Sequence, residues 1–276
     1  MNPLMVRQFL QQALIEDIGT RDITTELLFE PDQQIQGHFL AKWEGRIAGL
    51  SVAEETFRLL DPHIRFEVHL PDGTDVQKGD VLATVTGNAR AILSAERVAL
   101  NLLQRMSGIA TVTRDVCRKV ENLPTRITDT RKTLPGLRIF DKYAVTIGGG
   151  VNHRFGLYDA VMIKDNHIAA AGSLKNAVRK IKQQVGHLVK IEAEADNLEQ
   201  VKEAAEAGVD AILFDNMTPA AMSLAVEIVK KRAVTEASGG ITPETVRDFA
   251  MTGVDYISLG WLTHSVRAFD ISLDLS

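Results

Sequence analysis

The sequence predicts an α/β protein whose second half is a parallel barrel of about six strands. Three observations carry that expectation. Beyond Asn122, short apolar runs ("TRITDT", "DAVMIKD", "LVKIEAEA", "AILFDN", "AVTEASGG", "YISLGWL") alternate with helical stretches, the rhythm of parallel βα units. "AGVDAILFDN" and "TGVDYISLGW" are near-repeats of each other: a helix-ending glycine, a strand, then a polar or small residue. Such self-similarity favours a barrel, although the strands are fewer than in a standard (β/α)₈ barrel. A doubly wound sheet is the alternative, but no strand is followed by GxGxxG.

The elements follow in order. Leu4, Met5, Phe9, Leu10 and Leu14 lie at helical spacing and predict a helix over 4–16. "EDIGTRDITTELL" reads as a polar loop. From Gln34 to Val85 the pattern is strand-like ("IQGHFLAKW", "RIAGL", "IRFEVHL", "DVLATV"), interrupted by one helix over Val52–Leu60, with turn chemistry at "PDG" and "KGD". That rhythm is similar to lipoyl-type half-barrels, but no lysine sits at a hairpin tip, so lysine modification is not expected. "SAERVALNLLQRMSGIATVTRDVCRKVEN" predicts a long helix with Ser94 as N-cap and Val98, Leu102, Ile109 and Val112 on its packed face. "PGLRIFDKYAVTI", "SLKNAVRKIKQQV", "NLEQVKEAAEAG", "PAAMSLAVEIVKK" and "TPETVRDFAMTG" are the later helices, the last with Pro243 in its first turn.

Composition narrows the function. The chain has 276 residues and a net charge of −5. Mild acidity argues against nucleic acid as partner, since phosphate binding needs a basic face. No apolar run reaches membrane-spanning length, and the N-terminus has no basic stretch followed by a long apolar core. The single cysteine, Cys117, excludes an intrachain disulfide and suits a reducing compartment. A cytoplasmic protein with neither membrane nor nucleic-acid partner is expected. Cys117 lies on an apolar helical face and reads as core.

Within this acidic chain, one window concentrates cations: Arg131, Lys132, Arg138, Lys142, His153, Arg154, Lys164 and His167. Such a cluster is either a solvated face or a surface turned to an anion. Active sites of parallel barrels lie at the carboxyl ends of the strands. Those ends hold Asp129 with Arg131 and Lys132, then Lys164, Glu194, Asp215, Ser238 with Gly239 and Gly240, and Gly260. Lys190, Glu192 and Glu194 alternate and share one strand face, where inward charge needs partners; Lys164 and Lys132 are the candidates. The small residues of "EASGG" and "SLGW" make either a phosphate cradle or ordinary turns. Arg138 and Lys142 lie on the helix between the two cationic clusters and are expected to be solvated or paired with Asp141. His167 follows a strand end and is expected to orient its neighbours. His38, His63, His69 and His187 lie in the pre-barrel region or on a loop and no two of them have metal-ligand spacing, and no GxSxG, HExxH or Walker A motif occurs.

"DTRKTLPGLR…KYAVTIGGGVNHRFGLYDAVMIKDNHI", with "ERVALNLLQRMSGIAT", "EAEADN", "LFDN", "EASGGI" and "GVDYISLGWLTHS", resembles the quinolinate phosphoribosyltransferases from about Glu16 onward. The resemblance implies an N-terminal α/β sandwich domain (1–110, with the tail 266–276 returning to it) and an incomplete barrel over 111–265. It implies transfer of phosphoribosyl from phosphoribosyl pyrophosphate to quinolinate with decarboxylation, with magnesium accompanying the pyrophosphate. It implies a homodimer with shared sites, in which Arg97 is offered across the interface; further assembly is left open. Arg131, His153, Arg154 and Lys164 match the quinolinate-binding cations, with Thr130 beside them. Lys132, Glu194 and Asp215 match the catalytic group, the two carboxylates also serving the metal. Ser238, Gly239, Gly240 and the Leu259–Gly260 turn match the phosphate loops.

Overall fold

A computed structural model describes residues 1–275. The chain forms two compact units. One comprises 1–114, 133–149 and the residues from Leu262 on; the other comprises 115–132 and 150–261. Among the described residues no helix is long and apolar enough to cross a membrane.

In the first unit, α1 (Pro3–Ile18) starts at Asn2, whose side chain accepts the Leu4 N–H, and buries Val6, Leu10 and Leu14. The stretch expected as a loop contains a short helix, α2 (Ile23–Leu28). Asp22 nucleates it by accepting the Thr25 N–H at 3.0 Å, an N-cap strong enough to override the polar composition. There follow β1 (Gln34–Ala41), β2 (Gly45–Arg46), α3 (Leu50–Leu60), β3 (Arg65–Val68), β4 (Asp75–Val76), β5 (Val81–Asn88) and α4 (Ala89–Lys119). Helix α4 begins ahead of the expected Ser94, because the Asn88 side chain accepts the Ala91 N–H at 3.1 Å. Ser94 instead hydrogen-bonds Asp22.

The C-terminal strand β12 (Ile271–Leu275) pairs antiparallel with β1, so the four-stranded sheet runs β12-β1-β5-β3. Phe39, Phe57, Leu82, Ile92, Leu103 and Met106 fill the core between this sheet and its helices.

Helix α5 (Arg138–Ile147) also belongs to this unit, whereas contiguous ranges would put it in the barrel. Phe140, Ala144 and Val145 form one helical stripe, and that stripe joins the first unit's core. Phe140 meets Phe9 edge to face at 5.0 Å. Lys142 is wholly buried rather than solvated, and Asp141 is taken by Arg105 through two 2.8 Å bonds. Arg138 donates to Thr133.

The second unit carries β6 (Arg126–Thr128), β7 (Val161–Ile163), α6 (Asp165–Ala171), α7 (Leu174–Lys182), β8 (Ile191–Ala195), α8 (Leu198–Ala207), β9 (Ala211–Asp215), α9 (Pro219–Val229), β10 (Val234–Ser238), α10 (Val246–Ala250) and β11 (Tyr256–Ser258). The six strands are parallel in the order β6-β11-β10-β9-β8-β7, the incomplete barrel that the sequence predicts. Ser173, Asn197 and Thr218 cap α7, α8 and α9. Helix α10 starts later than expected: Thr242–Thr245 forms a turn closed by the Thr242 N–H on the Thr245 hydroxyl, leaving Pro243 outside the helix. Next to the edge strand β6, Val151 makes a parallel bridge with Thr128.

Candidate active site

A cavity of about 660 Å³ opens at the carboxyl ends of the barrel strands, lined wholly by the second unit. Thr130, Arg131 and Lys132 reach it from the loop after β6, His153 and Arg154 from the segment before β7, and Lys164 from the end of β7. Glu194 of β8, Asp215 of β9 and Ser238, Gly239 and Gly240 at the end of β10 complete the expected set. Eleven expected residues, distant in sequence, therefore line one cavity. Three do not line it. Arg97 lies exposed on α4 in the first unit. Leu259 is buried, and Ser258 lines the cavity where the Leu259–Gly260 turn was expected.

Local sequence explains the placement. Thr130 accepts the Lys132 N–H at 2.9 Å, folding the "DTRK" loop back over the end of β6. Asp159 accepts the N–H groups of Phe155 and Gly156 at 2.6 and 2.9 Å, which closes the turn that delivers Arg154. The Arg154 guanidinium donates to Ala160 O at 3.1 Å and approaches Met162 Sδ at 3.6 Å. Burial lowers its pKa, and so does the neighbouring Arg131; Glu192, Asp159 and Glu194 work the other way. Lys164 is the N-cap of α6, and its backbone N–H donates to His167 Nδ1 at 3.0 Å, the orienting role expected of His167.

Lys164 Nζ is ion-paired with Glu194. This is the pairing expected for the inward face of β8, but Lys190 is not part of it. Lys190 is exposed and bonds Asp210 at 2.6 Å.

The glycine turn expected as either a phosphate cradle or an ordinary turn lies at the end of β10, beside the end of β9. Gly239 and Gly240 have φ of 93° and 62°, conformations that side chains resist. A Cβ on Gly239 would collide with the Asn216 side chain. Asn216 itself has φ 54°, a left-handed conformation that asparagine tolerates, and its amide donates to Asp215 at 2.9 Å.

Sequence reasoning misses Met162, Leu213, Asn216, Glu236 and Ser258 among the lining residues. It also misses a cluster in the barrel interior: the ring of His153 with the carboxylates of Glu192 and Glu236, whose ligand-type atoms lie within 4.8 Å of one another. Strand alternation is the available signal, since Glu236 stands two residues before Ser238 as Glu192 stands two before Glu194. His153 Nε2 is 3.1 Å from Glu192 and 3.6 Å from Glu236. Burial, then the charge of Glu192, raises the Glu236 pKa; His153 and Ser258 offset part of this. Its Oε1 is buried without a hydrogen bond among the described residues. A second cavity, of about 410 Å³, opens where the strands begin, and it shares His153, Arg154 and Glu236 with the first.

The site is thus a barrel mouth with four cations (Arg131, Lys132, Arg154 and Lys164), three carboxylates (Glu194, Asp215 and Glu236) and a glycine turn, suited to a polyanionic substrate. The sequence matches two families: "Quinolinate phosphoribosyl transferase, N-terminal domain" over residues 22–107 and "Quinolinate phosphoribosyl transferase, C-terminal domain" over 109–274. A probable nicotinate-nucleotide pyrophosphorylase [carboxylating] of Bacillus subtilis is 49% identical across all of this chain and 95% of its own length. A chloroplastic one from Arabidopsis thaliana is 43% identical over 98% of this chain and 82% of its own. The crystal structure of NadC from Streptococcus pyogenes superposes with a TM-score of 0.96 at 39% identity, covering 100% of this chain and 98% of that one. The chain belongs to the quinolinate phosphoribosyltransferase family.

Proposed function

We infer that this chain is a quinolinate phosphoribosyltransferase (decarboxylating). It transfers phosphoribosyl from phosphoribosyl pyrophosphate to quinolinate and yields nicotinate mononucleotide, pyrophosphate and CO₂, a step of NAD biosynthesis. The observation that carries the reading is the gathering of Arg131, Lys132, Arg154 and Lys164 around one cavity at the strand ends, in a chain of net charge −5.

Each substrate supplies several negative charges, and the cavity divides to meet them. Arg131, Arg154 and Lys164, with Thr130 and His153 beside them, form the side that receives the two quinolinate carboxylates. The arginine forks suit planar carboxylates. The Ser238–Gly239–Gly240 turn brings backbone within reach of phosphate, with the Leu259–Gly260 turn as the neighbouring loop. Lys132 balances charge on the departing pyrophosphate. As the bond to pyrophosphate breaks, positive charge develops at the anomeric carbon, where Glu194 and Asp215 stabilise it or hold the ribose hydroxyls. The pyridine nitrogen supplies the electron pair for the new bond, so no protein nucleophile is required. The ring is then cationic. Its carbon–carboxylate bond breaks, the electrons stay on the carbon beside the positive nitrogen, CO₂ departs and that carbon takes a proton.

Magnesium is the metal we propose. It takes oxygen ligands, keeps several waters and is commonly held by one or two carboxylates plus substrate phosphates. Glu194 and Asp215 fit that pattern: they are oxygen donors in the substrate cavity, and Glu194 is already shared with Lys164, so they form no closed protein cage. A bound ion there would neutralise charge on the pyrophosphate. The deeper His153–Glu192–Glu236 group includes a nitrogen and is less suited to it.

We also propose a cytoplasmic homodimer in which Arg97 serves the partner's cavity. A mixture of Arg97→Ala and Lys132→Ala chains then recovers part of the activity that each lacks alone. The reaction itself is tested by supplying quinolinate, phosphoribosyl pyrophosphate and magnesium and quantifying both products. Equimolar nicotinate mononucleotide and CO₂, lost when nicotinate replaces quinolinate, is the expected result; no product from folded protein would overturn it.

A further inference from the structure

We propose that Glu192 and Glu236 are positioning residues for the quinolinate side of the cavity and act through His153. The inference rests on the reading of that side as the quinolinate pocket.

The His153 ring is held at both nitrogens. Nδ1 accepts the backbone N–H of Arg154 at 2.7 Å. A nitrogen that accepts a hydrogen bond carries no hydrogen, so the hydrogen of the ring sits on Nε2. Nε2 faces Glu192 at 3.1 Å and Glu236 at 3.6 Å. The residue's own backbone N–H donates to Asp129 Oδ1 at 2.8 Å, and Asp129 is buried at the end of β6. His153 therefore ties the segment before β7 to three strands of the barrel, β6, β8 and β10. Arg154 leaves that segment next in sequence to enter the cavity.

This makes His153 a pin rather than one of the cations that grip a carboxylate. The same geometry disfavours a metal ion among the three side chains: a ring nitrogen that bears hydrogen has no lone pair to give.

The two glutamates are poor candidates for a purely stabilising role. Two buried carboxylates facing one imidazole are costly, because a single ring offsets only part of their desolvation. What they supply is direction. They hold the pin, and the charge of Glu192 also opposes the effect of Arg131 on Arg154. Both arginines are thereby kept converging on the cavity before substrate arrives. Glu236 and His153 line the substrate cavity and the cavity at the opposite end of the barrel, which places the pin midway through the interior.

The test compares steady-state constants for both substrates in Glu192→Ala, Glu192→Gln, His153→Ala and the Glu192→Ala/His153→Ala pair. Turnover by the unmodified chain tests the quinolinate reading; only the ratios between variants test this inference. Glu192→Ala should raise KM for quinolinate about tenfold, the size of a lost hydrogen bond to a charged group. It should leave kcat and the KM for phosphoribosyl pyrophosphate within about twofold. Glu192→Gln keeps an acceptor for the Nε2 hydrogen and should stay within about threefold of the parent. In the His153→Ala background, Glu192→Ala should add nothing. A rise in both KM values together, an unchanged KM in His153→Ala, or an additive loss in the double variant would overturn the proposal. Long-range ¹⁵N–¹H NMR of the unmodified protein reads the ring directly, whatever the alanine variants do to folding. The Nε2–H form is expected near neutral pH, and an Nδ1–H or doubly protonated ring would sink the idea.

Discussion

Asp75 in the first unit and Glu236 in the barrel are carboxylates treated in opposite ways. Asp75 lies near the surface between Arg46 and Arg114, bonded to both at 2.9–3.0 Å. The Arg46 hydrogen bonds are the main cause of a pKa pulled down to about 2, with Arg114 adding to them against some burial. Glu236 is buried, faces another glutamate, and has its pKa pushed the other way. In the first unit such anions are matched locally by arginine, as Asp141 is by Arg105. In the barrel the matching is partial instead: Lys164 is paired with Glu194 at the mouth, while Glu192 and Glu236 converge on the single ring of His153. Local matching serves the fold; several cations gathered around one cavity build the positive field that an anionic substrate meets.

The comparison can be broken most decisively at the mouth. Lys132→Ala should lower kcat/KM by about 10³-fold while leaving the thermal midpoint nearly unchanged, since removing one of several like charges costs the fold little. Steady-state assays with parallel melting curves decide this, and a large loss of stability with modest loss of activity would reverse the assignment. Next in size is Gly239→Ala. The strained φ and the collision with Asn216 should raise KM for phosphoribosyl pyrophosphate by roughly 10–100-fold, with quinolinate much less affected.

The interior carboxylates give a smaller, pH-dependent effect. Glu236 faces Glu192, His153, Asp129 and Ser258, and its folded pKa is raised to about 7 from an ordinary value of 4.5. The folded state therefore holds a proton that the unfolded state has released, so stability should fall as pH rises through that interval. Glu236→Gln should abolish this slope and raise the thermal midpoint above neutral pH, read by melting at several pH values. Asp75→Asn should have the smallest effect. A depressed pKa contributes stability above the unfolded value, about 3.8, that is lost as pH falls through about 2. For so exposed a pair the loss at neutral pH should stay below about 1 kcal/mol, and the variant should differ from the parent less and less in acid melts.

Much of the site is legible in the sequence as residue types. The cationic window, the strand-end rule and the alternation in "KIEAEA" point to Arg131, Lys132, Arg154, Lys164, Glu194, Asp215 and the "SGG" turn, which one cavity gathers. What the sequence hides turns on contacts between distant segments. Lys142 reads as a surface helix residue because helical periodicity does not say whether a charged position meets solvent or a second packed layer. Lys190 reads as a partner for the inward glutamates because alternation assigns a face but not the point where a strand begins. Asp22 starts a helix in a segment whose composition reads as loop, a choice made by one hydrogen bond.

Sequence alone determined the class of chain, the order and period of its elements, and the chemical inventory of the site. These are local properties, set by hydrophobic spacing, turn chemistry and charge along the chain. Only tertiary structure decided that α5 joins the first unit, which register the returning tail takes against the first strand, and that His153 is clamped between Arg154 and two buried glutamates. Those outcomes depend on which desolvated groups find partners across long sequence separations. Burial and hydrogen-bond geometry settle that choice, and the chain does not write either one locally.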